Sequence, residues 1–166
     1  MGSYKKYNKE DQKLMAAWAL DCAERVLPLF VVVCPNDNRP QKAIQAGRDW
    51  IKTGNFAMAV IRKASLGAHS AARDINENEA ACFSARAAGQ AVATAHVAQH
   101  AYGASYYALK AIVVANPNNA KKMVDDELKW QTKILPKHLR KEIMSRIIID
   151  DKKTKIKISI DKSDGF

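Results

Sequence analysis

The chain has 166 residues, of which 48% are hydrophobic and 27% charged, a composition typical of one globular domain with an apolar core. No apolar run approaches the roughly 20 residues that a membrane span requires, and the polar opening MGSYKKYNKEDQ is unlike a secretory signal. The three cysteines (Cys22, Cys34 and Cys82) are scattered, which argues against a disulfide framework and a zinc cluster. We therefore expect a cytoplasmic protein without a membrane segment.

The net charge of +10 is the global feature that points to a binding partner. Such a charge suits nucleic acid, an anionic membrane or an acidic protein. Residues 118–166 hold 13 Lys and Arg against 8 Asp and Glu, a net +5 that equals the excess in the much longer segment 1–117. We interpret this basic C-terminal sequence as a solvated segment rather than as a nucleic-acid-binding arm.

Abundant alanine, with few glycines and prolines, favours helix throughout. Apolar residues recur at steps of three and four from Met15 to Val26, which predicts a central first helix beginning near Lys9. Further helices are predicted, in chain order, over residues 40–54, 55–75, 79–115, 118–134 and 136–149. Because an unbroken 79–115 helix would be about 55 Å long, we expect a break near Gln99 or Gly103.

These segments predict an all-α fold: one domain of seven or eight packed helices over residues 1–150, followed by a basic C-terminal tail over 151–166. Residues 155–160 alternate charged or polar residues with isoleucine, as an edge strand does, but without a second strand in view we assign them to the tail. PQKAIQAGRDW and NEAACFSARAAGQA carry Ala and Arg at similar offsets, about 40 residues apart. That spacing suits short solenoid-like hairpins, and a helical bundle would give the same pattern.

Polar side chains interrupt three of the apolar helices. Asp21 and Arg25 are four residues apart and lie side by side on the first helix, and His69 and Arg73 have the same spacing. If the 79–115 helix were unbroken, its arginine and histidines would share one stripe. The candidate residues in these helices are Asp21, Glu24, Arg25, His69, Arg73, Arg86, His96 and His100.

The simplest interpretation of these residues is a structural seam between packed helices. An unpaired charge is too costly to bury, so the carboxylates of the first helix need partners if they are enclosed. The available donors are His69, Arg73, Arg86, His96 and His100. The second interpretation is that part of this seam is exposed and recognises a partner.

Metal binding and catalysis are two chemical roles that the same side chains could serve. His96 and His100 in HVAQH are a weak candidate metal site, with Asp21 or Glu24 as a third ligand. That segment lacks the glutamate of HExxH, and paired histidines are common in helices by chance, so we assign no metal and no cofactor. The sequence also lacks GxSxG, a phosphate loop, CxxC and a dinucleotide fingerprint. We therefore predict a protein without enzymatic activity.

Outside the helices, the loop PNDNRP is the best candidate recognition surface, because loops between rigid helices often carry binding residues. Asp37 and Arg39 flank its turn, and Asp37 is equally suited to capping the next helix. Tyr102, Tyr106 and Tyr107 could form an aromatic platform. Such clusters more often pack with their hydroxyl groups reaching water.

Four segments resemble those of a family of bacterial immunity proteins from polymorphic toxin systems. They are AWALDCAERVLPLF, NDNRPQKAIQAGRDW, AHSAAR and ARAAGQAVATAHVAQHAYGASYYALKA, and ELKWQTKILP resembles the family's closing helix. The resemblance implies a small cytoplasmic all-α protein, no enzymatic activity, and a cognate protein toxin that it binds and neutralises. It carries over no established functional residues, and the ten candidates above only match its motif positions.

Two further functions remain open. One is a basic helical nucleic-acid-binding module, although the basic residues are interleaved with acids and no reader motif is present. The other is a small metal-dependent enzyme built around His69, His96, His100 and a carboxylate. We expect neither a nucleic-acid nor a membrane partner.

Overall fold

The computed structural model describes residues 4–152 and 154–166. In this part of the chain, seven helices are followed by two short strands. They are α1 (Lys9–Val31), α2 (Arg39–Thr53), α3 (Met58–Asp74), α4 (Glu79–Ala93), α5 (His100–Ala115), α6 (Ala120–Ile134), α7 (Lys137–Ser145), β1 (Ile147–Asp150) and β2 (Lys157–Ile160). The prediction of an all-α domain of seven or eight helices is confirmed. None of these helices combines the length and the apolar character needed to cross a membrane.

Helix α4 lies at the centre of the fold and packs against α1, α2, α3 and α5. Ten of its 15 residues are buried, and most are alanines, so neighbouring helices can approach closely. Since α4 contacts helices that are distant along the chain as well as adjacent ones, the architecture is a bundle. In a solenoid each unit would contact only its neighbours.

The apolar stripe of α1 forms much of the core, as the sequence predicts. Met15, Trp18 and Leu20 are each at most 2% exposed. The indole Nε1 of Trp18 donates a hydrogen bond to the backbone oxygen of Gln131, at 2.9 Å, which joins α1 to α6. Burial of each large apolar side chain contributes about 1.5–3 kcal/mol to folding.

The predicted break in the 79–115 segment is confirmed. Helix α4 ends at Ala93 and α5 begins at His100 after a series of turns. The two helices then run antiparallel. Gln90 lies against Gly103 near the break, and Phe83, earlier in α4, stacks on Tyr107, later in α5. Arg86, His96 and His100 therefore do not form the single stripe expected of an unbroken helix, because Arg86 lies on α4, His96 in the turns and His100 at the start of α5.

The assignment of residues 155–160 to a tail is wrong, because Lys157–Ile160 form strand β2. Strand β2 pairs antiparallel with β1, and Ile158 and Phe166 are buried. The backbone oxygen of Phe166 also accepts a hydrogen bond from the amide of Lys5, at 2.7 Å. The prediction missed β1 because the isoleucine run at 147–149 continues the preceding helical pattern. A domain boundary at residue 150 stays a prediction.

Candidate interaction surface

The carboxylates of α1 bind a cation that the sequence analysis did not single out. Asp21 and Glu24 both accept hydrogen bonds from Nη2 of Arg48 on α2, at 2.5 and 2.6 Å. All three side chains are between 31% and 48% exposed. The predicted partners of these carboxylates, which were the histidines and arginines of α3 to α5, are therefore wrong.

The reason is the close approach of α2 to α1. A Cβ atom at Gly47 would lie only 2.8 Å from Cδ2 of Leu20, so glycine allows the two helices to come together here. That contact brings Arg48, the next residue, to the carboxylates of α1. A local pattern on one helix does not reveal which other helix will cover it.

Arg25 joins α1 to α6 rather than pairing with Asp21. Its Nε donates to both carboxylate oxygens of Glu127, at 3.1 and 2.9 Å. Its guanidinium also lies over the ring of Trp130, 3.9 Å from the centroid. Glu127 is only 4% exposed and accepts a further, longer hydrogen bond from Nε2 of Gln131, at 3.4 Å. This cluster closes one side of the bundle.

The loop before α2 is held by its own charges. Arg39 donates from Nε and Nη2 to Asp37, with a shortest distance of 2.6 Å, and from Nη2 to Asp74 at 2.7 Å. The hydrogen bonds from Arg39 hold the pKa of Asp37 below its ordinary value. Asp37 also accepts from the backbone amide of Arg39, at 3.1 Å. The predicted recognition residues of this loop thus tie the start of α2 to the end of α3.

His69 on α3 packs directly on the backbone of α4. A Cβ atom at Gly89 would lie 2.8 Å from Nε2 of His69, so only glycine leaves room for the ring. The Nδ1 atom of His69 is buried without a hydrogen-bond partner in the described chain. Burial and the nearby charges of Arg86 and Arg73 lower the pKa of His69 below its ordinary value.

His96 and His100 lie at the break between α4 and α5, with their ring centroids 5.1 Å apart. Nδ1 of His100 is 2.7 Å from Oε1 of Gln90, and with the amide oriented this way Nδ1 carries the proton. Burial and the neighbouring histidines lower the pKa of His100 to about 4, while burial and Arg62 lower that of His96. The histidine cluster is therefore neutral at pH 7.

The described residues do not supply the metal site that the sequence raised as a weak candidate. Within residues 4–152 and 154–166, no three side chains of His, Cys, Asp or Glu are grouped closely enough to hold a metal ion. The carboxylates considered as a third ligand, Asp21 and Glu24, are bound to Arg48.

Five side chains form a partly exposed aromatic and cationic surface, which we call the α4–α5 ridge: Phe83 and Arg86 of α4, and Tyr106, Tyr107 and Lys110 of α5. The rings of Phe83 and Tyr107 stack with centroids 6.1 Å apart, and Tyr106 meets Tyr107 edge to face at 5.0 Å. Of the three tyrosines considered for an aromatic platform, Tyr106 and Tyr107 lie on this surface with Phe83 as the third ring, whereas Tyr102 is buried.

The two cations of the ridge lie over these rings. Nζ of Lys110 is 4.5 Å from the centroid of Phe83 and 5.1 Å from that of Tyr106, whose hydroxyl it contacts at 3.3 Å. The guanidinium of Arg86 is 6.0 Å from the centroid of Tyr107. Among the residues that the structure describes, neither cation forms a salt bridge.

The ridge borders two concave regions. Tyr106 and Tyr107 line a cleft of about 490 Å³, together with His100, Lys162 and Phe166, and this lining contains no Asp or Glu. On the other side, Phe83 and Lys110 line a groove of about 1130 Å³ in which charges of both signs occur.

The ten candidate residues do not converge on one site. Arg86 belongs to the ridge and His100 lines the adjacent cleft, whereas the charged residues of α1 and of the loop before α2 hold separate ion-pair clusters. Sequence reasoning missed Arg48, Phe83, Gln90, Lys110 and Glu127. A usable signal existed for the ridge, because Phe83 and Arg86 are three residues apart and Tyr106 and Lys110 are four apart, which places each pair on one helix face.

Comparison with known proteins identifies the family. Residues 5–138 match the model of a family described as "Imm-5 like putative immunity protein". The chain belongs to this family. The match covers α1 to α6, and hence every candidate residue and the α4–α5 ridge, while the β1–β2 hairpin lies beyond it. No curated protein and no solved structure matches the chain.

Proposed function

We propose that this chain binds a cognate bacterial toxin in the cytoplasm and neutralises it through protein–protein contact, without catalysing a reaction. The observation that carries the proposal is its membership of an immunity-protein family, through a match that extends over residues 5–138. Immunity by direct contact requires a stable surface complementary to the toxin, and a packed helical bundle is a suitable scaffold for such a surface.

The arrangement of the polar residues supports a binding role over a catalytic one. A catalytic constellation brings a nucleophile, a base and an electrostatic stabiliser to one concave site. Here Asp21 and Glu24 bind Arg48, while Asp37 and Asp74 bind Arg39, so these carboxylates hold helices together.

Co-expression tests the proposal most directly. The toxin encoded beside this chain is produced in bacteria with or without the chain, and growth is measured. We expect growth only when the chain is present. A toxin with an inactivated active site serves as the control for expression burden. Size-exclusion chromatography of the two purified proteins should then show one complex.

Two results would contradict the proposal. Cells that die equally fast with and without the chain would show that it gives no immunity. Protection without any complex between the purified proteins would instead indicate that the chain acts on the toxin's product or target, and contact would not be the mechanism.

The net charge of +10 supports a second candidate function, binding of nucleic acid. In that case the logarithm of affinity should fall with the logarithm of salt concentration, with a slope near −0.9 per phosphate contacted in duplex DNA. Two lysines of the C-terminal segment are already held by carboxylates, because Lys121 pairs with Asp151 and Lys122 with Asp126, which makes them less available to phosphates. Absence of binding to duplex or single-stranded DNA at low salt would remove this candidate.

A further inference from the structure

We propose that the α4–α5 ridge and the 490 Å³ cleft beside it form the toxin-binding surface, and that the toxin surface that they meet is acidic. This inference rests on the proposed function and goes beyond it by naming the face and the chemistry of the partner.

The two cations of the ridge, unlike three other arginines, have no ion-pair partner among the described residues. Arg25, Arg39 and Arg48 each bind at least one carboxylate of the chain. Arg86 and Lys110 are also partly exposed, but in the described chain they lie near aromatic rings and neither pairs with a carboxylate. Carboxylates of the partner would accept charge-assisted hydrogen bonds from both cations.

The ridge is rich in aromatic residues, and its rings are packed against one another. Aromatic residues and arginine are enriched where protein interfaces concentrate their binding energy, whereas lysine, glutamate and aspartate are depleted there. The rings of Phe83, Tyr106 and Tyr107 already pack on one another, at centroid distances of 5.0 to 6.1 Å. A partner would therefore restrict few additional rotamers on binding, which lowers the entropic cost of association.

The cleft is concave, and aromatic and cationic side chains line it. Its walls include Tyr106, Tyr107 and Phe166, with Lys162 at its lining and no Asp or Glu among the described residues that line it. The acidic residue nearest to the ridge along α4, Glu79, lies one turn before Phe83 and lines the opposite groove. An anchoring side chain of the toxin that enters the cleft thus meets an aromatic and cationic environment, which favours an acidic anchor.

Single-stranded nucleic acid is the competing occupant, because bases also stack on aromatic rings flanked by cations. Membership of an immunity-protein family favours a protein partner. The ridge also lacks the extended basic groove that follows a nucleic-acid backbone, since the neighbouring groove carries Asp125, Asp126 and Asp151 beside its lysines.

The test uses two double charge reversals in the full chain. One variant, Arg86→Glu with Lys110→Glu, reverses the ridge. The matched control, Lys52→Glu with Lys63→Glu, makes the same change in net charge at exposed positions of α2 and α3. Affinity for the toxin against which the chain protects is measured by calorimetry. We expect at least a 30-fold loss for the ridge variant and less than about a threefold loss for the control, in line with hot-spot substitutions.

The outcomes separate the two proposals. If the wild-type chain binds the toxin and the ridge variant binds equally well, the ridge is not the interface, while immunity by contact stands. Equal weakening of both variants would mean general electrostatic attraction and would also overturn the inference. If the wild-type chain binds no toxin, the proposed function fails together with the inference.

Two further measurements complete the test. Thermal unfolding establishes that the variants fold; if the double reversal does not fold, Arg86→Gln and Lys110→Gln are tested singly, with an expected loss of at least about fivefold each. Binding of a 20-nucleotide oligo-dT is followed by fluorescence anisotropy at low salt. Tight oligo-dT binding that the ridge variant abolishes, while toxin binding is unchanged, would assign the ridge to nucleic acid and overturn the inference.

Discussion

The α1–α2 face and the α4–α5 ridge use the same cationic chemistry in opposite ways. On the α1–α2 face, one guanidinium, that of Arg48, is shared by Asp21 and Glu24. On the ridge, Arg86 and Lys110 lie over aromatic rings and form no ion pair within the described residues. The cation of the first face is bound by carboxylates of the chain itself, whereas the two cations of the ridge have no carboxylate partner among the described residues.

This difference indicates how a structural ion pair can be told from a recognition cation without knowledge of the partner. A cation that already binds a carboxylate must break that contact before it meets a partner, and this loss offsets most of what it gains. A cation held over a ring keeps its hydrogen-bonding nitrogens largely available. The ion-paired residues should therefore affect stability, and the ridge residues should affect binding.

The largest expected effect on stability comes from the buried carboxylate of the paired clusters. Glu127→Ala removes the acceptor for Arg25 and leaves the buried amide of Gln131 with one partner fewer. We expect the free energy of unfolding to fall by about 2 kcal/mol, as measured by urea denaturation.

Asp125→Ala is the matched control, since Asp125 is an exposed neighbour on the same helix and forms no salt bridge with any residue that the structure describes. It should change stability by no more than about 0.5 kcal/mol. A similar loss for both variants would show that the buried pair is not special and would weaken the comparison.

The second largest effect is a dependence of the stability on pH, caused by His100 at the start of α5. Burial and the neighbouring His96 and His69 lower the pKa of His100 to about 4, below its ordinary value of 6.5. The pKa of His100 is lower in the folded state than in the unfolded state. The contribution of the neutral ring to the free energy of unfolding is therefore fully present above about pH 6.5 and is lost as the pH falls towards 4. Allowing for solvent screening, we expect a loss of about 1–2 kcal/mol between these values.

The variant His100→Gln isolates this contribution from the titration of carboxylates elsewhere. Stability is measured by denaturant unfolding at pH 7 and pH 4.5 for both chains. The variant should lose less stability on acidification than the wild-type chain. An identical loss of stability in both chains would mean that burial of His100 does not make the stability depend on pH.

A smaller effect is expected for the partly exposed pair on the α1–α2 face. Arg48→Met keeps the apolar stem but removes the charge shared by Asp21 and Glu24, and should lower the free energy of unfolding by about 0.5–1 kcal/mol. Toxin affinity should be unchanged. A double-mutant cycle with Asp21→Asn measures the coupling, and a large loss of toxin binding by Arg48→Met would move the interface to this face.

The smallest effect on stability is expected on the ridge itself. Lys110→Ala removes a cation that lies over two rings but pairs with no carboxylate in the described chain, so unfolding free energy should change by about 0.5 kcal/mol or less. Differential scanning calorimetry checks this value. If Lys110→Ala were as destabilising as Glu127→Ala, the ridge would be a structural element rather than a binding surface.

Much of the helical layout follows from local patterns. The stripe from Met15 to Val26 predicts a buried first helix, as the structure has it. The length of the 79–115 segment predicts a break near Gln99 or Gly103, and the break lies next to Gln99, whereas Gly103 is inside α5. Strand β1 could not be predicted in the same way, because three isoleucines in a row satisfy a helix and a strand equally.

The candidate site was less accessible to sequence reasoning. The polar residues of the apolar helices could be recognised, but not their partners, since Arg48 and Glu127 reach them only through contacts between helices. The ridge brings together α4 and α5 residues that are more than 20 positions apart, such as Phe83 and Tyr107. Spacing along one helix gives half of such a surface at most.

By itself, the sequence determined the fold class, the main helices and the excess of positive charge, because these depend on periodicity, propensity and composition. Its resemblance to immunity proteins also pointed to the family. Only the tertiary structure decided which charges are neutralised inside the molecule and which remain available. The physical reason is that ion pairing depends on distances of a few ångströms between different helices, and these distances are set by how closely residues such as Gly47 and Gly89 let the helices approach.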